Sequence, residues 1–204
     1  MKNRTKKYSL KKRRASRATL AAFHEGLAEM IELGRVPAGI SKQADAQQIF
    51  KLDLAPIVDG SGLKAAEPVA WDFLVGGGSM PVFLAAINTR GKKPPKMTSL
   101  TGAPMAAKAA AATALVENLP RVRAHRYELC RLRIPALSLG AFWLRSLEKG
   151  VGDLAVPYHA IHHQLKSMHA YPMEEFLAVM RRIAEKRLKD EGALRRKARR
   201  SARG

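Results

Sequence analysis

The chain has 204 residues, 47% of them hydrophobic, which is enough for one domain with a real core. Lysine and arginine number 37 against 17 acids, a formal charge of +20, as in proteins that meet nucleic acid or another acidic surface. A single cysteine, Cys130, excludes an intrachain disulfide and a cysteine metal cage and fits a reducing compartment, and the longest apolar runs, such as Met80–Ile87, fall far short of the ~20 residues that cross a bilayer.

Residues 1–17 hold nine Lys/Arg and no acid, and residues 181–204 hold eleven Lys/Arg and three acids. The intervening 163 residues carry only +3. The positive field therefore belongs to the ends. Residues 1–15, with Met1, Tyr8 and Leu10 as their only large apolar groups, read as a disordered basic arm. A helix is expected from Ser16, a good N-cap residue, with Leu20, Phe23, Leu27, Met30 and Ile31 on one stripe and Gly34 as its stop.

The period then changes. Phe50, Leu52 and Leu54 alternate with polar residues, as do Val69, Trp71, Phe73 and Val75. Both segments read as half-buried strands. Val82–Ile87 is continuously apolar and reads as a third, more central strand, joined to the second through Gly76–Gly78. That glycine run lacks the Gly-Lys-Ser/Thr ending of a P-loop, so a structural turn is the expectation. Residues 88–103 are polar, with Gly91, Pro94 and Pro95, and read as a mobile surface loop.

Pro104 to Leu119 is alanine-rich and bounded by Pro120, a helix with small sides. Residues 121–134 alternate, with Cys130, Leu132 and Ile134 on one face, and 136–144 alternate again. A turn at Glu148–Gly152 and a short strand Asp153–Val156 complete a hairpin. Tyr158, Ile161, Leu165 and Met168 suggest a short helix. A final helix opens at Pro172 with Glu174 and Glu175 in its first turn and buries Phe176, Val179, Met180 and Ile183. Its pattern decays beyond Leu188 into a basic tail, 189–204. Trp71 and Trp143 are expected in the core. The fold expected is α+β: a single mainly antiparallel sheet with helices packed on one face, one globular domain over 16–188, flanked by basic flexible termini.

Candidate site residues follow from charge. Lys6, Lys7, Lys11, Lys12, Arg13 and Arg14 make one cluster, and Arg195, Arg196, Lys197, Arg199 and Arg200 the other. Such groups displace condensed counterions from a phosphate backbone, and arginines add bidentate pairing. The arms offer only Tyr8 and Asn3 for reading bases, so RNA or DNA would be held without sequence choice. The expectation is a nonenzymatic cytoplasmic protein with a nucleic acid or other polyanion as partner and no cofactor.

Two alternatives stand beside it. On a helix, His159 and His163 at i, i+4 could hold a divalent metal ion for a hydrolase, with Asp153 as a candidate third ligand, although Ala160 replaces the glutamate of the zinc-protease motif. The chain could also be an adaptor or subunit of a larger acidic assembly, with a protein partner. No nucleophile elbow or carboxylate pair is legible.

Overall fold

The computed structural model describes residues 10–40, 44–77, 80–159 and 164–201. Lys6, Lys7 and His163 lie outside these residues.

Helix α1, Arg17–Glu32, starts where the Ser16 hydroxyl accepts the Thr19 amide at 3.1 Å. It passes into Gly34, whose φ of 67° is a left-handed conformation that glycine adopts freely. Strands β2 (Ala44–Lys51), β3 (Glu67–Gly77), β4 (Met80–Asn88) and β5 (Lys96–Thr101) form an antiparallel meander. A short helix, α2 (Leu54–Val58), interrupts it after β2, so Leu54 opens a helical turn instead of extending the strand. Helices α3 (Met105–Asn118) and α4 (Pro120–Ala124) lead to a second antiparallel meander. Its strands are β6 (Tyr127–Ile134), β7 (Leu139–Ser146), β8 (Leu154–His159) and the two-residue β9 (Tyr171–Pro172). Helix α5, Met173–Ser201, closes the chain.

The two meanders join through their first strands, which run parallel, Gln48–Lys51 against Cys130–Arg133. The path is β5-β4-β3-β2-β6-β7-β8-β9. A ninth short strand, β1 (Lys11–Lys12), pairs in parallel with Glu128 and Leu129, on the same edge of β6 that β2 leaves open there. The fold is thus α+β with one mixed, mostly antiparallel sheet among the described residues. Residues Leu10–Ala15, expected as part of a disordered arm, are instead seated on the sheet: Leu10 and Ala15 pack against its apolar clusters. Likewise the backbone from Lys189 to Ser201, expected as a tail, continues as helix.

Strand alternation sorts the core into two faces. Trp71, Phe73, Val75, Ala85 and Ile87 pack under α1, where Phe23 stacks on Phe73 with ring centroids 4.4 Å apart. Cys130, Leu132, Ala141 and Trp143 pack under α5 through Phe176, Met180 and Ile183. The intervening residues of the same strands, Tyr127, Leu129, Phe142 and Leu144, pack with Ala112, Val116 and Val122 of α3 and α4. Helix α3 therefore covers the opposite face from α1 and α5, which corrects the expectation of helices on one face. Its buried positions are Ala106, Ala109, Ala112, Thr113 and Val116, small enough for the helix to lie close on the sheet.

The expected loop 88–103 contains edge strand β5, held beside β4 and under α1. Gly26 makes that approach possible, because a Cβ there would stand 2.7 Å from the Met97 Cβ. The segment expected as a helix around Tyr158 begins as strand β8, which runs to His159.

Two substitutions test this packing. Phe176→Ala, which empties a fully buried site, should cost about 3–5 kcal/mol in chemical denaturation. Gly26→Val should cost about 1–3 kcal/mol despite the usual helix penalty of glycine, because Met97 must move. A gain in stability for Gly26→Val would contradict the close α1–β5 contact.

Candidate polyanion interface and a buried arginine network

The N-terminal basic cluster divides at β1 (Lys11–Lys12) and the residues that follow it. Successive side chains go to opposite faces of the sheet. The Lys12 ammonium lies 2.7 Å from Asp45 and 3.2 Å from Glu117, both carboxylates of this chain. Burial opposes its charge, but the two carboxylates more than reverse that, and its pKa stands above the ordinary lysine value. The next residue, Arg13, turns to the other face and pairs with buried Glu128 at 3.3 Å, with a further hydrogen bond to Gln48. Glu128 is also met by Arg145 at 3.3 Å, whose guanidinium sits 5.2 Å from the Trp143 ring centre. Lys12 and Arg13 thus act as ties within the fold, which corrects their assignment to a free arm. Lys11 and Arg14 are exposed.

At the other end, helix α5 buries Met173, Phe176, Met180, Ile183 and Ala184 and then leaves the sheet. Every residue from Glu185 to Asp190 is exposed. The helical backbone runs on through Ser201, so Arg195 and Arg199, and Arg196 and Arg200, stand one turn apart, with Lys197 between them. Cationic residues at this end and Glu174 and Glu175 at the start both oppose the helix dipole favourably.

Of the expected histidine pair only His159 is among the described residues. An i, i+4 face requires a helix through His159, and His159 ends a strand. Asp153, the candidate third ligand, has both oxygens engaged: Oδ2 accepts the Trp143 indole N–H at 2.8 Å and Oδ1 the Ser146 amide at 2.8 Å. Among the described residues no three His, Cys, Asp or Glu side chains converge on a common point.

The densest polar cluster is one the sequence pattern did not single out. Arg131 on β6 is 1% exposed, as is Asp72 on β3. The Arg131 side chain passes over β2, donating Nε to the Gln47 Oε1 at 2.6 Å and Nη1 to the Asp72 Oδ2 at 2.8 Å. Gln47 is itself aligned with Asp72 in the β2–β3 register, and its amide nitrogen donates to the Thr113 hydroxyl at 3.4 Å. Arg133, two residues on and so on the same face, donates Nη2 to both Asp72 oxygens at 3.2 and 2.9 Å. Burial weakens the Arg133 charge, and Asp72 and the Tyr158 phenol more than restore it, so its pKa is raised. The Arg131 guanidinium lies beside two adjoining aromatic rings, 5.3 Å from the centre of Phe142 and 5.2 Å from that of Tyr158. Tyr158 reaches this position over Gly140, where a Cβ would stand 2.8 Å from its ring.

On the other face of β6, Cys130 is fully buried. Burial and the Glu128 carboxylate push its thiol up to about 12, so it stays protonated and unreactive at neutral pH. Comparison with family models, curated proteins and solved structures returned no match.

Asp72→Asn removes the carboxylate that Arg131 and Arg133 share, one of these guanidiniums being fully buried. It should destabilise the protein by about 3–5 kcal/mol, read as a lower denaturant midpoint. For Cys130, thiol reagents at pH 8 should label the native protein only as fast as it unfolds. Rapid stoichiometric labelling without denaturant would contradict its buried, protonated state.

Proposed function

We propose that this is a nonenzymatic cytoplasmic protein that binds the phosphate backbone of RNA or DNA without sequence preference, chiefly through the end of α5. The observation that carries this reading is the departure of α5 from the sheet after Ala184. Seventeen further helical residues, 185–201, extend about 25 Å at 1.5 Å per residue. Arg195, Arg196, Lys197, Arg199 and Arg200 fall on this extension of the helix. A pre-ordered helix loses less conformational entropy on meeting a polyanion than a coil with the same charges. Lys11 and Arg14 supply further exposed cations. Lys12 and Arg13 do not, because Asp45, Glu117 and Glu128 already neutralise them.

Each phosphate contact contributes about 0.9 to the slope of log affinity against log salt on duplex DNA. Removing residues 192–204 should cut a measured slope by about four to five and weaken binding at least ~100-fold near physiological salt. Lys11→Ala and Arg14→Ala should each lower the slope by about one. Lys12→Ala and Arg13→Ala should leave it unchanged and lower stability by about 1 kcal/mol or less. A truncated chain with undiminished affinity and slope, measured by fluorescence anisotropy across a salt series, would overturn the proposal.

A further inference from the structure

The arginine network borders a cleft of about 360 Å³ on the α3 face, a volume at the small end of organic ligand sites. Leu84, Met105, Ala109 and Leu139 give it apolar walls, and Arg131 and Arg133 give it a cationic one. Three observations meet there. Arg131 directs Nε to Gln47 and Nη1 to Asp72, but its Nη2, fully buried, has no partner among the described residues. Two guanidiniums face one carboxylate, leaving a single positive charge in excess at the network. Arg133, with 43% of its side chain exposed, brings part of that charge to the surface of the cleft.

A buried donor without an acceptor is costly, and it is more costly on a charged group. An acceptor that also carried one negative charge would satisfy the donor and balance the excess together. We infer that the cleft is a binding site for a small monocarboxylic acid, its carboxylate held by Arg131 and Arg133 and its apolar body between Leu84, Met105, Ala109 and Leu139. The network is built to present the guanidiniums before any ligand arrives. Gln47 and Asp72 hold Arg131 by hydrogen bonds and the adjoining rings of Phe142 and Tyr158 pack beside it, so little side-chain freedom remains to be lost on binding. A phosphate monoester shares the oxyanion chemistry but brings nearly two charges to a site with one in excess. This site is separate from the α5 surface and would stand if that reading failed.

Benzoate serves as the carboxylate probe and phenyl phosphate as the competing oxyanion. Both are titrated into the full chain while the arginine side-chain nitrogen and proton resonances are followed. Benzoate should shift the Arg131 guanidinium signals saturably, at concentrations where acetate and chloride do not. Arg133→Gln, a substitution at a half-exposed side chain that leaves the Arg131–Asp72 pair in place, should weaken benzoate at least ~10-fold. Tighter binding of phenyl phosphate than of benzoate would overturn the carboxylate assignment. No saturable shift at Arg131 with either probe would overturn the site.

Discussion

The contact on which the sheet depends is the one that Arg131 makes across its seam. Two antiparallel meanders meet through only four residues of each first strand, Gln48–Lys51 and Cys130–Arg133, and that pairing is parallel. Parallel pairs are slightly the weaker per residue. The Arg131 side chain strides over β2 to Asp72 on β3, so one buried ion pair links strands that do not touch. Its hydrogen bond to Gln47 fixes β2 in between. A hydrophobic replacement of matching shape could be as stable, as buried ion pairs often show. What the polar version adds is register. A one-residue slip of β6 against β2 would turn Arg131 to the α5 face, among Trp143, Phe176 and Met180, with Asp72 left unpaired behind it.

The seam is tied on both faces by a second set of charges, and they come from the supposed arm. Strand β1 completes the β6 edge that β2 does not reach. From there Lys12 binds Asp45 and Glu117 on the α3 side, and Arg13 binds Glu128 on the α5 side. Residues that look like one basic run in the sequence thus do two jobs. Alternation along a strand, not charge density, decides which lysine or arginine meets a carboxylate of the fold. The positive groups at the start of the chain are partly internal counter-ions.

Much of this architecture was legible. The strands around Trp71 and Val82, the helix capped by Ser16, the alanine-rich α3 and the stripe of Phe176, Met180 and Ile183 follow from period and punctuation. Two of the failures share one cause, the reading of polar residues as solvent-facing. Strand β5 has the sequence Lys-Met-Thr-Ser-Leu-Thr, with too little apolar alternation to announce a strand; its order comes from β4 and from Met97 against Gly26. On β6, Arg131 and Arg133 fall on the face opposite Cys130 and Leu132, and charged residues there suggest contact with solvent. In fact Arg131 is buried by pairing with Asp72, a partner 59 positions away that no local pattern reveals. The alanines of α3 were the available signal: a helix so small-sided packs close on something, and the second sheet face was what remained.

The coverage of both faces also constrains how a nucleic acid could be met. Proteins that read single strands on a sheet leave aromatic side chains open for bases to stack on. Here Phe50, Trp71, Phe73 and Trp143 are buried beneath α1 and α5, and Phe142 and Tyr127 lie on the α3 side. The sheet is therefore an interior, and the described surface offers no stacking platform among these large rings. Contact with a polyanion has to come from helix ends and loops, where the available groups are lysine and arginine. Under the proposed function such groups would hold phosphates and leave bases unread, so the covered sheet argues for affinity without sequence choice.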